Sequence, residues 1–176
     1  TVNPLPATIS LSGLTYTYDG AAKSALATTA PVGLAVELTY DGSSTPPTDA
    51  GSYSVVATIT DPDYVGSANG RLSIAKATPI LGWSAPAAIT YGTALSATQL
   101  NATANTAGEF AYSPPAGTVL AAGADQPLSA IFTPADTANF NGGNVATTIT
   151  VNPATANLVL GHLTQTYDGS TKSITV

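Results

Sequence analysis

The sequence has no cysteine and no methionine, and its 176 residues include only four lysines and arginines. Without cysteine there is no disulfide framework and no metal site of the thiolate type, so stability must come from packing and backbone pairing. Ten aspartates and glutamates leave a net charge of −6, which repels phosphate backbones, and no basic stripe offsets that repulsion. The composition therefore predicts no nucleic-acid partner.

Long apolar runs are also missing. No stretch approaches the roughly 18 residues that a membrane-spanning helix needs, so this segment is not expected to insert into a membrane. No signal segment leads the chain, which says nothing about a longer parent protein. The cysteine-free, lysine-poor composition, rich in threonine, alanine and glycine, is typical of mature secreted bacterial proteins and predicts an extracellular or cell-surface location.

Helical periodicity is a further absence, because no segment of about 11 residues keeps apolar residues at helical spacing without an interrupting glycine or proline. Alternation with a period of two, which is typical of half-buried strands, takes its place. The inward sets are Leu34, Val36, Leu38 and Tyr40; Tyr53, Val55, Ala57 and Ile59; Leu128, Ala130 and Phe132; and Val145, Thr147, Ile149 and Val151.

Turn signals separate these segments at intervals of about 8 to 12 residues, a spacing that predicts an all-β sandwich or barrel. They are Asp41-Gly42, Asn69-Gly70, Pro114-Pro115 and Asn141-Gly142.

The order Asp-Ala-Gly-x-Tyr in "TDAGSY" at 48–53 is the one that begins a late strand in immunoglobulin-like folds. There the tyrosine hydroxyl bonds to nearby backbone and forms a tyrosine corner. Tyr53 is the candidate for this role, and its alternative is one more inward aromatic of an alternating strand. We therefore predict tandem immunoglobulin-like β-sandwich modules, with a β-grasp arrangement as the alternative for the first module.

Two stretches recur at one offset. "LTYTYDGAAKS" at 14–24 returns as "LTQTYDGSTKS" at 163–173, and "TVNP" at 1–4 returns at 150–153, both 149 residues later. A shared offset indicates one full period of a larger repeat followed by the start of the next, so the termini are expected to be cut points.

A weaker repeat divides that period. The segment 61–78 resembles 136–155 in its order of aspartate, aromatic residue, glycine, strand and Ala-Thr exit. The predicted organisation is the end of a preceding module at 1–6, a first module at 7–77, a second module at 78–154, and the start of a further module at 155–176. The joints are very short and have proline beside or inside them, which predicts stiff connections.

The motifs of the first module, "YTYDG", "PTDAGSY" and "DPDYVGSANGRLSIAKA", resemble MBG- or YDG-type repeats of large bacterial surface and adhesin-like proteins. Those of the second, "ITYGTALSATQLNATA" and "FTPADTANF", are similar to bacterial immunoglobulin-like repeats. The resemblance implies tandem units of long extracellular proteins and brings no set of functional residues with it.

The repeated "TYDG" is the strongest candidate for a binding site. In a turn, Asp19, Asp41 and Asp168 would accept hydrogen bonds from backbone two residues on, while the following glycine supplies a positive φ. Alternatively these carboxylates, with Asp61 and Asp63, would bind calcium, although D-x-D lacks the spacing of a calcium loop. We expect turns, no metal site and no cofactor.

Catalytic chemistry has little support, and we expect no enzyme. His162 is the single histidine and lies outside the repeated unit, so no second histidine can serve as a base. Glu37 and Glu109 are the glutamates available for a carboxylate pair, and nothing in the sequence brings them together.

Three further side chains have a structural and a functional interpretation. Lys23 and Lys172 occupy equivalent positions, where a cross-link to Asn or Asp is one reading and a solvent-facing side chain is the expected one. Trp83 would either stack on a sugar or pack in a core or between modules, and we expect packing.

The predicted function is therefore a structural spacer, stalk or fibre-forming repeat of a bacterial extracellular protein, and the alternative is an adhesin module for a host or matrix glycan or protein. The expected partners are neighbouring repeats. The apolar positions of the last segment could also join copies head to tail through an incomplete face. These positions are Leu158, Leu160, Leu163 and Tyr167, which match Ile9, Leu11, Leu14 and Tyr18.

Overall fold

The computed structural model describes residues 3–161 and 164–173, and this part of the chain forms strands without any helix. It therefore contains no helix that could cross a membrane. The strands of the first module are β1 (Leu5–Pro6), β2 (Thr8–Ser12), β3 (Thr15–Thr17), β4 (Leu26–Ala30), β5 (Val36–Tyr40), β6 (Gly51–Ile59), β7 (Tyr64–Val65) and β8 (Ser67–Ala75). Those of the second are β9 (Leu81–Gly82), β10 (Ile89–Thr90), β11 (Thr103–Ala104), β12 (Gly108–Ser113), β13 (Gly123–Pro134) and β14 (Gly143–Asn152).

The first module is a sandwich of a four-stranded sheet and a smaller pair of strands. The sheet has the order β3-β8-β6-β5, with β3 parallel to β8 and the other pairs antiparallel. Strands β2 and β4 form the antiparallel pair, and β1 runs parallel to β7. The core lies between these layers around Val55 and Leu72, both fully buried.

The second module repeats this topology. Its sheet has the order β10-β14-β13-β12, again with a parallel first pair, and β9 pairs with β11. A single parallel bridge between Ala77 and Phe140 stands where β1 and β7 pair in the first module. The two modules therefore share one connectivity, although their sequences repeat only weakly.

The predicted all-β, sandwich-like fold is confirmed. The alternating sets are inward as expected, and Val55, Ala57 and Ile59 are buried on β6 while Ser54, Val56 and Thr58 are exposed. The β-grasp alternative needs a helix across the sheet, so it is wrong for residues 3–77, which contain none.

The predicted turn at Asn69-Gly70 is also wrong, because both residues lie inside strand β8. A Cβ atom at Gly70 would lie 2.9 Å from Leu11 Cδ1 and 3.5 Å from Leu14 Cδ1. Glycine is therefore needed for close packing of the second layer and not for a change of chain direction.

The limits of the modules remain predictions. Leu5–Pro6, assigned from sequence to the end of a preceding module, pairs with Tyr64–Val65 of the first module. The incoming chain is thus held by the module that it enters.

The tyrosine corner is confirmed. The Tyr53 hydroxyl donates a hydrogen bond of 2.9 Å to the backbone oxygen of Asp49. Burial raises the pKa of Tyr53, and the carboxylates of Asp49 and Asp41 add to this effect. The raised pKa favours the protonated phenol that the corner uses as a donor.

The substitution Tyr53→Phe is expected to lower the free energy of unfolding by about 1 kcal/mol, because it removes one partly exposed hydrogen bond. Urea unfolding followed by circular dichroism measures the change. A variant that unfolds at the same urea concentration as the wild type would show that the bond does not stabilise the corner.

The apolar side chains of the last segment differ in burial from those of the first copy. Leu158, Leu160 and Tyr167 are exposed, Tyr167 by 90%, whereas Leu11 and Tyr18 of the first copy pack against the first core. His162 and Leu163 lie outside the described residues.

Candidate functional site

The "TYDG" stretch at 17–20 is a turn held by its own aspartate. Asp19 accepts a hydrogen bond of 2.9 Å from the N–H of Ala21 and pairs with Lys23 Nζ at 2.5 Å. Gly20 has a φ of +81°, which is the left-handed region that favours glycine. The Lys23 hydrogen bond, followed by that of Ala21, lowers the pKa of the Asp19 carboxyl.

The distant copy forms the same turn. Asp168 accepts from the N–H of Ser170 and pairs with Lys172. The Lys172 bond and then the Ser170 hydroxyl lower the pKa of Asp168 to about 2. The middle copy differs, because Asp41 itself has a positive φ and its carboxylate accepts from Ser54 on the neighbouring strand.

The carboxylates of Asp19 and Asp168 have partners within four residues, and that of Asp41 has one on the neighbouring strand. Among the described residues, no group of three or more His, Cys, Asp or Glu side chains could hold a metal ion. We therefore expect millimolar calcium to leave the melting temperature unchanged, because a bound ion would raise it by mass action. A rise of several degrees that EDTA reverses would contradict this expectation in a thermal melt.

Lys23 is not solvent-facing as predicted. Its side chain is only 12% exposed, because its ammonium group pairs with Asp19 and lies 5.7 Å from the centre of the Tyr16 ring. Asp19 and Lys23 have opposite charges and are four residues apart. This spacing could have suggested the ion pair from the sequence.

Trp83 is half-buried and packs against the core of the second module. Its indole N–H donates to the backbone oxygen of Gln99 at 3.1 Å, and its ring lies 5.2 Å from that of Tyr112 in an edge-on contact. Both the polar and the apolar parts of the indole therefore have partners inside the module. Glu37 and Glu109 are exposed on sheets of different modules.

The most elaborate polar cluster is one that sequence reasoning missed, and it lies between the modules. We call residues 136–141 the second aromatic loop, and its contacts with the first module and with residues 76–78 the junction. The N–H of Ala77 donates to Asn139 O at 2.9 Å, and the N–H of Asn141 donates to Ala77 O at 2.9 Å. The connecting chain is thus held as a strand against this loop.

Asn139 is the centre of the junction and is only 6% exposed. Its Oδ1 accepts a hydrogen bond of 2.7 Å from the N–H of Ala50 in the first module. Its Nδ2 donates to Asp49 Oδ1 at 3.2 Å and to Asp136 Oδ2 at 2.9 Å. One side chain therefore satisfies partners in both modules, 89 residues apart in the case of Ala50.

Two further contacts flank Asn139. The ring of Phe140 meets that of Tyr18 edge-on at 5.4 Å between centroids, an arrangement that aromatic pairs favour. Lys76 Nζ donates to Thr137 O at 2.6 Å. The junction thus combines an aromatic contact, a buried amide and a lysine that spans the joint.

The sequence contained one signal of this site. The similarity of 61–78 to 136–155 aligned the two aspartate-aromatic loops, but a repeat in sequence does not show which surface each loop contacts. Nothing in the sequence around Asn139 indicates its contact with Ala50, because the two residues are 89 positions apart.

The ionisation of the Asp136 carboxyl makes the stability of the junction depend on pH. The hydrogen bond from the Asn139 side chain is the largest cause that lowers the pKa of the Asp136 carboxyl; burial opposes it as the next largest effect, and the N–H groups of Asn139 and Ala138 and the charge of Lys76 lower the pKa further. A lowered pKa stabilises the folded junction above the usual value of 3.8, and this contribution is lost as the pH falls through the folded-state pKa.

We therefore expect the junction to loosen on acidification below pH 4 or so, as Asp136 becomes protonated. Hydrogen exchange of the Ala50 amide between pH 3 and pH 6, corrected for the intrinsic pH dependence of exchange, measures this. Protection of that amide that stays constant over the range would refute the assignment to Asp136.

A comparison with protein families gives one match. The family model described as the MBG domain matches residues 7–78, the part of the chain that contains the first module and its exit into the junction. Curated proteins give no match to the sequence. The first module is therefore similar to MBG domains, a type of repeat typical of bacterial surface proteins.

Proposed function

We propose that this chain is a structural spacer, a stretch of tandem modules that holds another part of a bacterial extracellular or cell-surface protein at a distance. The role is mechanical and not enzymatic. Neighbouring repeats of the same protein are its partners, and the second module acts as an immunoglobulin-like unit of the same series.

The junction is the observation that carries this proposal. Residues 76–80 connect β8 to β9, and within them Ala77 is paired to the second aromatic loop and Pro79 is buried. A connection held by backbone pairing and by the buried Asn139 transmits orientation from one module to the next. Strands of nine residues such as β6 and β8, at about 3.3 Å per residue, give each module a length of about 30 Å.

The side chains that could bind a ligand support the same role. The indole N–H of Trp83 is used inside the module, and the Asp19 carboxylate is paired with Lys23. A glycan-binding surface usually offers an aromatic face with free polar groups beside it. Trp83 is instead half-buried and packs against the core of the second module.

An array of glycans and matrix proteins probed with the 1–176 chain tests the proposal against the adhesin alternative. A spacer is expected to give no saturable signal at any spot. Saturable binding that survives in a Trp83→Phe variant would assign an adhesive surface elsewhere on the modules, and binding lost in that variant would assign it to Trp83. Either result would refute the spacer role.

A further inference from the structure

A groove of about 430 Å³ lies at the end of the second module where the chain leaves β14. We call it the end groove, and it is lined chiefly by Tyr91, Ala121, Ala122, Pro153 and Ala154. Tyr91 is 54% exposed, which is high for a large aromatic side chain beside a core. The groove is apolar and lies open in this chain.

The end groove matches the surface of the first module that forms the junction. Tyr91 corresponds to Tyr18, because the N–H of Tyr91 donates to Asn152 O at 2.8 Å and that of Tyr18 donates to Ala75 O at 2.9 Å. In each module this oxygen belongs to the last residue of the final strand. The ring of Phe140 covers that of Tyr18. Among the described residues, no aromatic ring covers Tyr91 in the same way.

The rest of the groove follows the same correspondence. Gly123 opens β13 and pairs with the last strand, as Gly51 does in β6. The two residues before it are Ala121–Ala122 in the second module and Asp49–Ala50 in the first. The N–H of Ala122 therefore occupies the position that corresponds to the N–H of Ala50, which donates to Asn139 Oδ1.

The first module carries a loop of the kind that fills such a surface. We call residues 61–65 the first aromatic loop. Its Tyr64 pairs in parallel with the chain that enters the first module, as Phe140 does with the chain that enters the second. The matched positions are Asp63 with Asn139 and Tyr64 with Phe140.

We propose that the end groove docks the aromatic loop of an MBG-type module that begins at residue 155. The type of module follows from the sequence, because residues 155–173 repeat the start of the first module at the 149-residue offset. In the docked state the counterpart of Tyr64 packs on Tyr91, and the counterpart of Asp63 accepts a hydrogen bond from the N–H of Ala122. The inference rests on the proposed function, since it assumes a run of tandem modules.

Charge determines which loop fits which surface. At the junction the Asn139 side chain donates to the carboxylates of Asp49 and of Asp136 in its own loop, whereas an aspartate side chain has no N–H to donate and would repel both. Of these two carboxylates only Asp49 belongs to the opposite surface. The end groove has Ala121 in place of Asp49, so it accepts the aspartate of the first type of loop without repulsion. The two surfaces therefore select alternating modules, and an MBG-type module is disfavoured directly after another.

The test extends the full chain by one module. Residues 1–173 are followed by a copy of residues 25–78, because Ser173 matches Ser24 at the 149-residue offset. The amide of Ala122 is expected to exchange about tenfold more slowly than in the 1–176 chain, because it gains a hydrogen bond to a carboxylate. A nuclear Overhauser contact is expected between the rings of Tyr91 and the copied Tyr64.

Two variants of the extended chain test the charge rule. Ala121→Asp is expected to abolish the gain in protection, and changing the copied Asp63 to asparagine as well is expected to restore it. If the copied strands are protected like their originals while Ala122 exchanges as in the 1–176 chain, docking is wrong and the tandem-module function stands. Saturable glycan binding, by contrast, would refute the spacer role and leave these exchange rates unchanged.

A double-mutant cycle at the existing junction does not depend on the folding of the appended copy. Asn139→Asp in the 1–176 chain is expected to increase exchange of the Ala50 amide, and adding Asp49→Ala is expected to recover part of the protection. No recovery would refute the charge rule. Concentration-dependent association of the 1–176 chain that Ala121→Asp abolishes would assign the groove to a second copy and overturn the proposal.

Discussion

The substitution Asn139→Ala is expected to uncouple the two modules while each of them stays folded. It removes the amide that bonds to Ala50, Asp49 and Asp136, and it leaves the N–H of Ala50 without its acceptor. Loss of a buried partner of this kind costs about 2 to 3 kcal/mol. This energy comes from the junction and not from the core of either module.

Rotational diffusion from nitrogen-15 relaxation measures the uncoupling. In the wild type both modules are expected to share one correlation time, and in Asn139→Ala each is expected to tumble with its own shorter time. Asn141→Ala is the matched control, because its side chain makes only longer, exposed hydrogen bonds of 3.3 and 3.5 Å at the same loop. Identical correlation times in Asn139→Ala and wild type would show that Asn139 does not hold the junction.

The substitution Tyr40→Phe is expected to destabilise the first module selectively. Tyr40 is 4% exposed, and its hydroxyl accepts a buried hydrogen bond of 2.9 Å from the N–H of Ala25. Phenylalanine keeps the ring but leaves that N–H buried without an acceptor, which costs about 1 to 3 kcal/mol. The effect is expected to exceed that of Tyr53→Phe, whose hydrogen bond is exposed.

The single tryptophan makes the measurement specific to a module. Trp83 packs against the core of the second module, so its fluorescence follows that module in urea, while hydrogen exchange of the buried Val55 amide in the same urea series follows the first. Tyr40→Phe should shift only the first transition. Tyr112→Phe removes the matching bond to the N–H of Ala102 and should shift the second, whereas a Tyr40→Phe variant that shifts both or neither would contradict the local role of this bond.

The sequence predicted the strands of the sheets well, because alternation is a local property that a buried face imposes on any strand. The inward sets on β6 and β13 are buried as predicted, and Tyr53 forms its corner with a residue four positions away. Asn69-Gly70 was predicted wrongly, because the reason for that glycine is Leu11, a residue of another strand. The junction was missed for the same reason.

The two copies of one stretch show what the sequence alone determines. The turn at Asp19 and its copy at Asp168 form the same ion pair and the same backbone bond, because every partner lies within four residues. The strand before the turn is different. Leu11 lies in β2 and packs against the core, whereas its counterpart Leu160 is exposed and outside any strand.

A strand needs a partner for its backbone and a layer for its apolar face, and β2 obtains both from β4 and β8. In the second copy Leu160 is exposed, because an apolar pattern alone supplies neither a pairing partner nor a covering layer. The sequence by itself thus determined the turns at Asp19 and Asp168 and the alternation of the strands. Only the tertiary structure decided which strands pair, why Gly70 is needed, and that Asn139 joins the modules, because each depends on groups that are distant in the chain and meet only on folding.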